Sequence, residues 1–144
     1  MNTKKLDPTL EVFDQDFKSM IESGFVAVNQ LDEKSAIACF EAAQVLRPYS
    51  TAPKLGLGFV ALNKLDLETS ESYFTDILDQ DPDHELARVF LGITLSFNEQ
   101  HRLRGQRMIQ DIADKTIEAE VAQLAKTAMD WAKKESFKKE GHIV

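Results

Sequence analysis

The chain has 144 residues, 43% of them hydrophobic and 28% charged, enough for one domain with a substantial core. Lys and Arg number 17 against 24 Asp and Glu, giving a net charge of −7, so a general attraction to nucleic-acid phosphates or to an anionic bilayer is disfavoured. The single cysteine, Cys39, cannot close an internal disulfide, and Asp7 and Pro8 stand where a secretory leader would need an apolar run. No stretch approaches a membrane span, so a cytoplasmic location is expected.

In chain order, Asp7-Pro8 reads as an N-cap followed by a first-turn proline, and Leu10, Phe13, Phe17 and Met20 form one apolar stripe. Residues 1–16 are therefore an N-terminal extension that begins the first helix early. A repeat follows: Gly24, Gly58 and Gly92 are separated by two steps of 34 residues (58−24 and 92−58). At the same spacing stand Phe25, Phe59 and Ile93; Phe40 and Phe74; Pro48 and Pro82; and Leu31-Asp32 and Leu65-Asp66.

Each recurrence has a mechanical reason. Glycine belongs where two antiparallel helices cross closely, and Ala36, Phe40 and Ala43 share one face of the opposing helix. Asp32 and Asp66 are placed to N-cap the second helix of a hairpin, and Pro48 and Pro82 fall just beyond its end. The spacing predicts an all-α, single-domain chain, 1–144, with hairpins at about 17–50, 51–84 and 85–116. Ile117, Val121, Leu124, Ala125, Ala128 and Trp131 predict a capping helix at about 117–135 that closes the superhelical array, with a tail lacking a periodic stripe from Ser136.

Gly24, Ala36, Phe40, Ala43 and Pro48 fall on the small, aromatic and proline positions of the tetratricopeptide motif, which the first unit resembles most closely. The second keeps Leu57, Gly58, Phe74 and Pro82 but has Ser70 and Ile77 where alanines are usual. The third keeps Leu91 and Gly92, then has Arg104, Met108, Asp111 and Thr116 at the later signature positions. The resemblance implies that first helices line a concave groove. By register its apolar positions are Ile21, Phe25 and Val28; Leu55, Phe59 and Leu62; and Leu86, Val89, Ile93 and Phe97. Some tetratricopeptide proteins grip a C-terminal carboxylate there with Lys, Arg and Asn; the matching positions are Ile21, Phe25, Gly56, Leu86 and Phe90, so no such clamp is expected.

Size, acidity, three repeats, a capping helix and the segment from Arg47 to Gly58 together resemble the small tetratricopeptide chaperones of type III secretion systems. That resemblance implies a cytoplasmic bacterial protein holding an amphipathic helix of a needle subunit, with a translocator subunit as the alternative client. It also implies a second small co-chaperone as a further partner. A general tetratricopeptide adaptor and, more distantly, a regulatory subunit of an enzyme are the other classes considered.

The residues offer no catalytic constellation and no cofactor-binding motif. His84, His101 and His142 lack metal-ligand spacing to one another or to Cys39. Asp79, Asp81, Asp83 and Glu85 imitate a calcium loop, but Pro82 interrupts it and His84 stands where glycine is required. Cys39, with no nearby base, reads as a packing residue, and Trp131 as part of the capping stripe.

Overall fold

The computed structural model describes residues 8–139, with side chains from Asp14 to Lys134. Among these residues there are seven helices and no strand: α1 (Pro8–Asn29), α2 (Glu33–Leu46), α3 (Ala52–Asn63), α4 (Leu67–Gln80), α5 (Glu85–Ser96), α6 (Arg102–Lys115) and α7 (Ala119–Lys139). Neighbouring helices pack in pairs, as in a helical repeat array. The chain falls into two units, Met1–Val60 and Ala61–Val144.

In the first unit α1 reverses into α2 through three residues. Leu31 adopts a left-handed backbone with φ of 59°, its N–H donates to the Val28 carbonyl at 3.0 Å, and the Asp32 N–H donates to the Ala27 carbonyl at 2.8 Å. These two bonds close the end of α1 in the manner usually reserved for glycine. Asp32 then caps α2, its carboxylate accepting from the Ser35 N–H at 3.1 Å. Ala36, Phe40 and Ala43 are the buried face of α2, as their spacing predicts. A Cβ added at Gly24 would lie 2.5 Å from the Phe40 ring, and one at Gly56 would lie 2.4 Å from it. The ring thus fills space that two glycines leave, on α1 and on α3. Phe25 meets Phe40 edge-on, with centroids 5.0 Å apart.

The upstream turns of α1 are tied to the end of α2. Arg47 pairs with Asp14, and its guanidinium lies 4.8 Å from the centre of the Phe17 ring. α1 thus begins at Pro8, upstream of the first repeat. Asp7 and the side chains of Leu10 and Phe13 lie outside the described residues.

The second unit repeats this turn. Leu65 has φ of 59°, the Leu65 N–H donates to Leu62 at 2.9 Å, the Asp66 N–H donates to Ala61 at 2.9 Å, and the Asp66 carboxylate accepts from Thr69 N–H. Ser70, Phe74 and Ile77 are the buried face of α4, and Phe74 stacks on Phe90 of α5. His84 caps α5, Nδ1 accepting from the Ala87 N–H at 3.2 Å. The sequence that imitates a calcium loop is therefore a helix-capping turn.

The third hairpin keeps the pattern displaced by one residue. Its second helix buries Gly105, Ile109 and Ile112, where a strict 34-residue step from Ser70, Phe74 and Ile77 would name Arg104, Met108 and Asp111. The five-residue turn from Phe97 to His101, against three residues in the other hairpins, accounts for the offset. Gly92 and Gly105 face each other across the pair: a Cβ at Gly105 would stand 2.4 Å from the Gly92 carbonyl oxygen.

Beyond it, the capping helix differs from expectation at both ends. Ile117 is 94% exposed and lies in the connection before α7, because Thr116 leaves the helical conformation and its hydroxyl oxygen accepts from the Glu118 N–H. α7 starts at Ala119 and continues through Ser136 to Lys139. Its Ala125 and Ala128 join Val89, Ile109 and Ile112 in one core cluster.

Leu31 is 89% exposed, so its side chain contributes little burial, while its left-handed backbone costs about 1 kcal/mol relative to glycine. Leu31→Gly is expected to raise the unfolding free energy by roughly 1 kcal/mol in urea titration.

Candidate functional site

The ten apolar first-helix positions separate into two groups once the packing is known. In the first unit, Val28 and Leu55 are buried, while Ile21, Phe25 and Phe59 are partly exposed. Phe25 has two roles: its edge packs on Phe40, and its ring centroid lies 6.4 Å from that of Phe59. Two aromatic rings and Ile21 therefore offer partly open apolar surface on α1 and α3.

In the second unit the expectation needs correction. Leu62 is buried, and Val89 is wholly buried among Ile109 and Ile112 of α6 and Ala125 and Ala128 of α7. Ile93 packs against the same cluster, and Phe97 caps the end of α5 with its ring 4.8 Å from Trp131 of α7. For the α5 positions the cause is the packing of both α6 and α7 on α5. Leu86 is partly exposed. Val28, Leu55, Leu62 and Val89 are thus packing residues rather than contact residues.

Cys39 is only partly buried on α2. Among the described residues no group of His, Cys, Asp and Glu is arranged to hold a metal ion, and no helix is long and apolar enough to cross a membrane. The carboxylate-clamp positions are apolar or filled, Phe90 by its stacking on Phe74 at 5.6 Å.

Charge enters at the hairpin of α5 and α6. Asp111 accepts from Lys115 Nζ at 2.6 Å and lies 3.8 Å from Arg88 of α5. The Lys115 hydrogen bond, reinforced by the charges of Lys115 and Arg88, holds the Asp111 carboxyl below the ordinary 3.8. The Thr116 hydroxyl adds a bond to the Glu85 carboxylate, joining the end of α6 to the start of α5.

No protein-family profile matches the chain, and no curated protein matches it.

Two tests follow from this arrangement. Val89→Ala is expected to cost about 2 kcal/mol of stability by denaturant unfolding, and Leu86→Ala less than half of that. Because the folded-state pKa of Asp111 is depressed, its contribution is present above 3.8 and disappears as the pH falls through the lower folded value. Below pH 3.8, unfolding free energy should therefore fall less steeply in Asp111→Asn than in the unmodified chain.

Proposed function

We propose that this chain is a tetratricopeptide-type chaperone of a type III secretion system, acting in the bacterial cytoplasm. It holds an amphipathic helix of a needle subunit, or of a translocator subunit, and so delays that subunit's assembly. The observation that carries the reading is the partly open apolar surface of Ile21, Phe25 and Phe59, on the first helices of successive hairpins. Two facts support it. The 34-residue step is accompanied by the same left-handed leucine and the same aspartate cap at both of its first turns. The chain is also small and acidic, with a net charge of −7.

The physical role follows from the surface. An amphipathic helix free in water exposes an apolar stripe that drives self-association, and covering that stripe with aromatic and aliphatic side chains removes the drive. At about 25 cal/mol per Å² of apolar area, a few anchors supply several kcal/mol before ordering costs. Such a role needs no bond-making chemistry, and affinity of this origin is retained at high salt.

Purification of the tagged chain from its native cells, followed by mass spectrometry, is expected to recover a small secreted helical protein. Phe59→Asp should reduce that recovery by roughly tenfold or more while circular dichroism stays unchanged. Ile21→Asp, at a position outside the ring packing, guards against a result caused by unfolding. Undiminished recovery with both folded variants would overturn the reading.

A further inference from the structure

A cleft of about 520 Å³ lies between α6 and α7, lined among others by Ala113 of α6 and by Ala122, Lys126, Met129, Asp130 and Lys133 of α7. Its register gives it meaning. Within the hairpin of α5 and α6, Arg88 pairs with Asp111, Gly92 lies against Ile109 and Gly105, and Ser96 lies against Gly105. Advancing those three α5 positions by the 34-residue step gives Ala122 (88+34), Lys126 (92+34) and Asp130 (96+34), and all three line the cleft. The cleft therefore stands to α7 as α6 stands to α5. It is the seat of a hairpin's second helix, and among the described residues no helix fills it.

The chemistry of the seat differs from that of α5. Where Gly92 permits an approach so close that a Cβ would lie 2.8 Å from the Gly105 carbonyl oxygen, α7 carries Lys126. A helix resting here is held further out, and it meets an ammonium group instead of bare backbone. Ala113, Ala122 and Met129 supply small or adaptable apolar side chains, beside the amides of Gln110 and Gln123. Lys126 and Lys133 outnumber Asp130 among the charged lining, in a chain whose total charge is −7. The stripe from Ala119 to Lys133 is about 21 Å long, or four helical turns.

We propose that this cleft docks a short amphipathic helix of another protein, one whose apolar stripe is flanked by Asp or Glu. The stripe rests on the alanine and methionine side chains, and its carboxylates meet Lys126 and Lys133. The cleft is lined by none of Ile21, Phe25 and Phe59, and the proposal does not depend on the reading given for them.

The probe is a synthetic helix of about 16 residues with a leucine stripe edged by glutamates, compared with the same peptide edged by lysines. In titrations of the isotope-labelled chain, the glutamate peptide is expected to shift the amides of α6 and α7 along the cleft. It should bind at least about tenfold more tightly than the lysine peptide, and weaken as NaCl rises from about 50 to about 500 mM. The double variant Lys126→Glu, Lys133→Glu, at two exposed positions, should lose that preference. Unchanged emission of Trp131, whose ring packs at a tilt against Phe97, reports that the variant remains folded. Equal binding of both peptides, shifts outside α6 and α7, or an undiminished preference in the folded double variant would overturn the proposal. So would concentration-dependent shifts of the same amides in the chain alone, which would assign the cleft to a second copy.

Discussion

The fold depends on side chains seated where the opposing helix has none. Phe40 occupies the space above Gly24 and Gly56, and Ile109 lies against Gly92, at distances that leave no room for a Cβ. Glycine within a helix costs about 1 kcal/mol relative to alanine. Burying a phenylalanine or isoleucine side chain returns about 1.5–3 kcal/mol, so the exchange favours the close crossing. Once the crossing is fixed, the outward residues of each first helix are fixed with it. Phe25 shows the link, because the ring that supports Phe40 is the same ring that approaches Phe59 at the partly open surface.

The turns complement this arrangement. Leu31 and Leu65 hold backbone conformations that favour glycine, and each is followed by an aspartate that caps the next helix. Local strain at the leucine is offset by the two carbonyls satisfied at the end of one helix and the N–H satisfied at the start of the next. The same sequence pair does this in both units, giving the first two hairpins the same three-residue reversal.

Much of the fold was legible because the signals are local or periodic. A glycine every 34 residues, Ala36 and Phe40 on one face, and Asp32 and Asp66 before their helices all state a geometric need in a single residue type. The third hairpin was harder to read: its longer turn moves Gly105, Ile109 and Ile112 by one position, and strict spacing names their exposed or partly exposed neighbours. A small-to-large pair four residues apart, Gly105 and Ile109, was the signal available. The candidate site was legible only in part. A helical stripe identifies which residues turn away from water, but not whether another helix or a partner covers them. Val89 and Ile93 have the same apolar character as Phe25 and Phe59, and it is the packing of α6 and α7 around them that makes them core.

Two kinds of surface result, and they differ in physical character. Ile21, Phe25 and Phe59 are apolar, so whatever covers them gains by removing area from water, a term that high salt does not weaken. The cleft beside α7 combines alanine and methionine with two ammonium groups, so its affinity includes a screened electrostatic part. The difference originates in one position of the repeat. Glycine at 24 and 92 draws a helix of the chain's own into tight contact, whereas lysine at 126 admits only a looser and charge-selected one. A single substitution in the register thus changes a seat suited to internal packing into one suited to exchange with an outside helix.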